Sequence, residues 1–152
     1  MKTDNELIAE FMGYEYFPYR DDEKGWLHGW MHPNVNRKFG EHARKIAQSR
    51  GTFLCRNHGQ LRYSTSWDWL MPVVEKIEEM NYVVQISAWP DRKYSRGKLM
   101  ESWVERRCKI EDEHSDGDEP PYGFGYSTDS KIESVYKAIV EFIKWYNSQP
   151  PQ

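Results

Sequence analysis

The segment KIESVYKAIVEFIKWYN, residues 131–147, limits the fold more than any other stretch of this chain. At helical spacing, Ile132, Val135, Tyr136, Ile139, Phe142, Ile143 and Tyr146 share one broad face. Glu133, Lys137, Glu141 and Lys144 fill only a narrow polar sector, and Ala138, Val140 and Trp145 fall outside the central stripe. A helix this apolar around its circumference must be covered on more than one side, so the chain needs a layered fold. Ser130 and Glu133 have the spacing of a capping box at its start. Glu133 and Lys137 form an i,i+4 pair in the favourable order. Pro150 and Pro151 close the segment.

A second amphipathic segment, 66–80, places Trp67, Leu70, Met71, Val74 and Ile77 on one face, widened by Trp69, Val73 and Met80. Asp68, Glu75, Lys76 and Glu79 lie opposite. Pro72 removes one interior hydrogen bond and predicts an irregular first turn, or a start near Asp68. Ser66 occupies the N-cap position. Both helices follow the string Tyr-Ser-Thr, at 63–65 and 126–128. The hydroxyls suit the orphan N–H groups of a first turn, and the tyrosine can fold back as a hydrophobic staple. The repeated string is therefore helix punctuation; the flanking residues show no duplication.

Between the helices, NYVVQISA (81–88) is β-branched and ESWVERRCKIE (101–111) alternates. They predict an antiparallel pair of strands, with WPDRKYSRG between them as a turn region. At the N-terminus, TDNELIAEFM (3–12) reads as a helix with Thr3 and Glu6 in capping-box spacing, and Gly13 is its stop. Residues 14–62 are an elaborated aromatic and basic insert. Short strands or ordered loops are expected in YEYFPY and GWLHGWMHP, a short helix at 40–49, and a hairpin in which FLC and QLRY flank RNHG. Residues 112–127 are predicted to be a mobile acidic loop, because they hold too little apolar surface to pack. At 152 residues the chain fits a single domain with such an insert. The expected class is α+β: an α/β/α-type sandwich with a small, mostly antiparallel sheet and helices packed on it.

Three of these segments, LIAEFMG, YSTSWDWLMPVVEKIEEM and SVYKAIVEFIKWYN, resemble the phage ABA sandwich family, small proteins of phages and prophages. The Ser-Trp-Asp-Trp run is the most specific part. The resemblance spans about half of the chain and leaves residues 14–62 unexplained. It implies a sheet covered by helices on both faces. It brings no catalytic residue that transfers to this sequence.

Candidates for chemistry are sparse. Cys55-x-x-His58 has metal-ligand spacing, and His28-x-x-x-His32 adds two imidazoles, but a closed zinc shell wants four ligands in a recognisable pattern. No metal or other cofactor is expected. Cys55 or Ser64 as a nucleophile lacks the strand–nucleophile–helix elbow. Gly123-Phe124-Gly125 lacks the rest of a phosphate-binding motif. Asp112, Asp116 and Asp118 are not in register for a calcium loop. The two cysteines, Cys55 and Cys108, are too few for a disulfide framework and are expected to be reduced.

Charge offers a different lead. The net charge is −3, yet residues 20–63 hold nine Lys/Arg against four Asp/Glu, which leaves −8 for the remainder. Six acids lie within EDEHSDGDE, 111–119. In the basic region Arg37, Lys38, Arg44 and Lys45 interleave with Trp26 and Trp30, the composition of a single-stranded nucleic-acid groove. No recognised nucleic-acid motif accompanies them. The balance favours a small accessory protein of phage or prophage origin that binds a protein partner, with a single-strand binder next and an enzyme third. MKTDNELIAEF lacks the apolar core of a secretory leader, and no apolar run reaches membrane-spanning length. A cytoplasmic location in the host cell is expected, with no membrane partner and with oligomers open.

Overall fold

Thr3 starts the first helix as its spacing predicts. Its hydroxyl accepts from the Glu6 N–H at 3.3 Å, and Glu6 Oε2 accepts from the Thr3 N–H at 2.6 Å. The helix, α1, runs Asp4–Phe11. It ends at Gly13, whose φ of +88° suits glycine, with Gly13 N–H and Tyr14 N–H donating to Glu10 and Ala9 carbonyls. The computed structural model describes residues 1–21, 23–32, 53–115 and 119–150. The chain is α+β, with helices and two antiparallel three-stranded sheets. The sequence predicted one domain; the structure divides into two compact units, Met1–Arg62 and Tyr63–Gln152.

In the first unit, α1 is followed by β1 (Glu15–Asp21), β2 (Gly25–Met31) and β3 (Phe53–Cys55), in that spatial order. Pro18 lies in β1, at the edge, where a missing N–H is tolerated. The expected hairpin around RNHG is replaced by β3 and a 3-10 turn, His58–Gln60. Gln60 Oε1 accepts from the Arg56 N–H at 2.9 Å, so the local side chain, rather than a second strand, satisfies that backbone. Asn5 Nδ2 donates to the Leu61 carbonyl at 3.1 Å and ties α1 to this segment. Ile8, Trp30, Met31, Cys55 and Leu61 are buried. The predicted helix at 40–49 lies outside the described residues.

The second unit holds α2 (Trp67–Glu79), β4 (Tyr82–Ser95), β5 (Lys98–Asp112), β6 (Gly123–Ser127) and α3 (Lys131–Ser148). In α2 the buried stripe is Leu70, Val73, Val74 and Ile77; Trp67 and Met71, expected on that face, are exposed. The first turn is irregular, with both Trp69 and Leu70 N–H groups donating to the Ser66 carbonyl. Ser66 stands at the N-cap but its side chain makes no capping bond. Tyr63 does act as a staple, buried edge-on against Trp69 at 5.3 Å.

The position of α3 on the sheet follows from two glycines. A Cβ on Gly125 would lie 1.7 Å from the Ser134 carbonyl oxygen, and one on Gly123 would lie 2.3 Å from that of Ala138. Only glycine lets the helix backbone come this near the strand. Residues 123–127, assigned from sequence to the acidic loop, therefore form an ordered strand whose bare positions seat the helix. Ser134, Val135, Ala138, Ile139, Val140, Phe142 and Ile143 are buried along α3. Opposite them Cys108 and Ile110 are fully buried on the inner face of β5. At the base of the sheet the Tyr122 ring stacks on Trp145 at 4.1 Å, and Tyr82 meets Phe142 edge-on at 4.9 Å.

Candidate docking surface

The sequence between Ala88 and Val104 does not end the hairpin where its composition suggests. β4 and β5 stay paired from Tyr82↔Asp112 to Ser95↔Lys98, and only Arg96 and Gly97 form the turn. Both have positive φ, +49° and +76°, the type I′ geometry that matches strand twist in a two-residue hairpin. β6 pairs with β5 only from Arg106↔Ser127 to Ile110↔Gly123. Beyond that point β4 and β5 continue as a two-stranded arm, about 20 Å long at strand rise.

Two-stranded ribbons are marginal in water on their own, so an arm of this length has to be argued from its surface. Trp89 is 62% exposed, Tyr94 57% and Met100 60%, and Leu99 and Val104 are also exposed. Contiguous exposed apolar groups are uncommon on a protein surface and are a common feature of interaction sites. The register sorts them. Trp89 stands opposite Glu105 and Lys93 opposite Glu101 on one pleat face, which continues down the sheet through Arg107 and Tyr126, then Lys109 and Phe124. Pro90 and Val104 face the other way, as do Tyr94 and Leu99 beyond a bulge at Lys93/Tyr94. Tyr126, expected as a staple, instead stands exposed on the outer face with Phe124 and Val83.

Each cation of this outer face has an acid beside or opposite it. Arg107 is paired with Glu105, Lys109 with Glu111 at 3.7 Å, and Lys93 stands opposite Glu101. Free strand edges are treated unequally. The outward N–H of Phe124 donates to Glu141 Oε2 at 2.7 Å, and Lys137 Nζ donates to the Tyr126 carbonyl at 3.3 Å, so α3 side chains close the β6 edge. Pro90 removes a donor from β4, which pairs with β5 alone. Along 98–105, β5 has β4 for its strand partner and lies beyond the reach of β6.

The residues singled out by sequence are scattered. Cys55 is buried, its thiol donates to the Asn57 carbonyl at 3.3 Å, and burial pushes it up to about 11. A protonated, hydrogen-bonded thiol is a poor metal ligand or nucleophile. His58 instead bonds through Nδ1 to Glu6 Oε1 at 2.5 Å and packs on Tyr16 at 4.2 Å. Two bonds from Thr3 hold the Glu6 carboxyl below its usual range, with His58 a smaller cause. His28 stacks on Tyr16 at 5.6 Å, and His32 meets Tyr14 edge-on. Among the described residues no three His, Cys, Asp or Glu side chains come together as a metal site. Asp112 accepts from the His114 N–H at 3.0 Å; Asp116 and Asp118 lie outside the described residues.

For the nucleic-acid candidates, Arg37, Lys38, Arg44 and Lys45 lie outside the described residues. Trp26 is 69% exposed, whereas Trp30 is 2% exposed and offers no ring face to a base. Ser64 is partly buried in the turn before α2. Ser130 caps α3, accepting from the Glu133 N–H at 3.4 Å. The return half of the predicted box is absent: Glu133 accepts instead from Ser127 Oγ at 2.6 Å and pairs with Lys137 at 2.7 Å. Sequence reasoning missed the arm. Its one local signal is Ser-Arg-Gly-Lys, with Tyr94 before it and Leu99 and Met100 after it.

No family model, curated protein or solved structure matches the chain. No helix among the described residues is long and apolar enough to cross a membrane.

Proposed function

We propose that the chain is a phage- or prophage-derived accessory protein that acts by protein–protein binding in the host cytoplasm, and that the β4–β5 arm is its docking surface. The observation that carries this reading is a ribbon that extends past the helix-covered sheet with exposed apolar side chains on both faces, Trp89 on one and Tyr94, Leu99 and Val104 on the other, and with Met100 exposed at the bulge. Burying each would contribute roughly 1.5–3 kcal/mol before ordering costs. The phage origin rests on the resemblance of the three helical segments.

A second reading, single-strand binding by the first unit, is favoured by one observation: Trp26 presents an exposed indole opposite Arg20 in the strand register.

The test places a photoreactive phenylalanine analogue at Tyr94 and, as control, at the exposed helical position Glu75. After irradiation in host-cell extract, one dominant crosslinked protein species is expected from position 94. It should vanish when Trp89 and Met100 are both changed to Ser. Equal, diffuse labelling from both positions would refute the reading. Tight, salt-sensitive binding of a mixed-sequence single strand, lost in Trp26→Ala, would replace it with the second.

A further inference from the structure

We infer that the chain pairs with a second copy of itself through the free edge of β4, strand against strand, so that the two sheets run on as one across a twofold axis at Ile86. The tip of the arm, from Arg92 to Glu101, takes no part in this contact.

The edges of the sheet are finished differently. On β6 the outward N–H of Phe124 and the outward carbonyl of Tyr126 are taken by Glu141 and Lys137. Those two bonds also fix the alternation of the sheet. Phe124 and Tyr126 point their main-chain groups away from β5, so their register partners Lys109 and Arg107 bond toward β4, to Gln85 and Ser87. The N–H and C=O groups of Val84, Ile86 and Ala88 therefore point out of the sheet. Among the described residues no strand lies beyond them. Natural edge strands are blunted by Lys, Pro, a bulge or short length. Residues 82–88, YVVQISA, have no charge and no proline, and their register with β5 is unbroken. The first blunting residue is Pro90, past the end of that run.

The inner face is incomplete on the same side. Cys108 and Ile110 of β5 are fully buried, whereas Ile86 and Val84, directly opposite them on β4, are only partly buried. A further strand beside β4 covers them.

The order of side chains about Ile86 commits this edge to a second copy. In an antiparallel self-pair centred there, residues equally spaced before and after Ile86 face each other. Val84 stands opposite the partner's Ala88 and Gln85 opposite the partner's Ser87, a branched side chain against a small one and one hydrogen-bonding side chain against another. Val83, 36% exposed, stands opposite the partner's Trp89, the residue that is 62% exposed in the single chain. Both lie on the outer face, and the twofold makes that contact twice. A strand that pairs with itself sets any charge near the axis beside its own copy, which is destabilising; residues 81–90 carry none. Pro90 falls at the last rung, where a missing N–H forfeits a terminal bond and stops the ladder before Arg92 and Lys93. Moving the axis to Ser87 would put Pro90 opposite the partner's Val84, inside the ladder. Moving it to Gln85 would set Trp89 opposite the partner's Asn81, outside the strand. The contact is isologous and uses up the edge on both copies, so it stops at two.

Two measurements on the full chain test this. Sedimentation velocity should show a concentration-dependent dimer, and Ala88→Pro should weaken it tenfold or more. The Ala88 N–H points away from β5, so the proline removes a bond across the new contact and none within the hairpin. The second measurement needs no proline variant to fold. Gln85→Cys and Ser87→Cys chains, mixed in equal amounts and mildly oxidised, should give a product of twice the chain mass joined from position 85 to position 87. The two positions form a non-hydrogen-bonded pair, with Cα atoms about 4.5 Å apart and within disulfide reach. Cys55 and Cys108 are buried and do not compete. A chain that stays monomeric at concentrations on the order of 0.1 mM overturns the inference. So does a dimer indifferent to Ala88→Pro. Linkage from 85 to 87 that is absent, or no more frequent than 85 to 85 and 87 to 87, also overturns it. Position 94 lies outside the paired segment, so photocrosslinking there bears on the arm alone and the two readings fail separately.

Discussion

Gly125 shows how much a single missing Cβ decides here. The Ser134 carbonyl sits where that atom would be, and a backbone group cannot rotate away. Gly125→Ala must push α3 off β6, and a loss of at least ~3 kcal/mol is expected, at the top of the usual overpacking range. Urea unfolding would check this; a loss under about 1 kcal/mol would mean that the helix does not sit this near the strand. The serine caps separate in the same way. Ser130→Ala should cost about 1 kcal/mol, because it strips the bond to the Glu133 N–H. Ser66→Ala should fall within about 0.5 kcal/mol of the parent, since that side chain caps nothing. Equal costs for the two would contradict the structure. Sequence spacing located both caps, but only coordinates show which hydroxyl reaches its N–H group.

At the scale of elements, the sequence was legible wherever a helix or strand buries one face. The stripe of α3 and the alternation through Cys108 and Ile110 follow from burial against a layer, and the Thr3 box and Gly13 stop follow from local backbone chemistry. The arm was illegible for the converse reason. Both of its faces are exposed, so no alternation is imposed, and Pro90, Arg92 and Lys93 read as a turn by propensity. β6 was missed because its inner positions are glycines, which look like loop residues until α3 is placed above them. The proposed docking surface was therefore hard to read from sequence, while the basic residues Arg37, Lys38, Arg44 and Lys45 chosen from composition lie outside the described residues. A consequence can be measured in the free protein. Backbone amides of residues 99–104 should exchange with solvent much faster than those of 106–110, which lie between two strands under α3. Addition of saturating partner should slow the first set and leave the second unchanged. Uniform protection along β5 in dilute protein would show that the arm is supported in some other way.

Across the whole molecule, each compact unit carries its own internal reporter, a single buried cysteine. Cys55 lies in the first unit and Cys108 in the second, where burial pushes its thiol up to about 12. Burial favours the neutral thiol in both, so the folded pKa values lie above the unfolded value near ~8.5. The sign follows. Stability from these thiols is fully present below the unfolded pKa and falls as pH rises from there toward the folded values of about 11 and 12. Urea midpoints should thus decline on going from pH 8 to pH 10, and Cys55→Ser with Cys108→Ala should flatten that decline. Alkylation adds spatial resolution to the same chemistry. Neither thiol should react at neutral pH in native buffer, since the thiolate is scarce and buried. With increasing urea, Cys55 should label first. It is 7% exposed in a unit with few buried apolar side chains among its described residues, whereas Cys108 is fully buried on the inner face of β5. Mass spectrometry of the alkylated peptides would give the order directly. Labelling of Cys108 ahead of Cys55 would mean that the stronger core lies in residues 1–62, and the helix-covered sheet could no longer be regarded as the rigid base from which the arm extends.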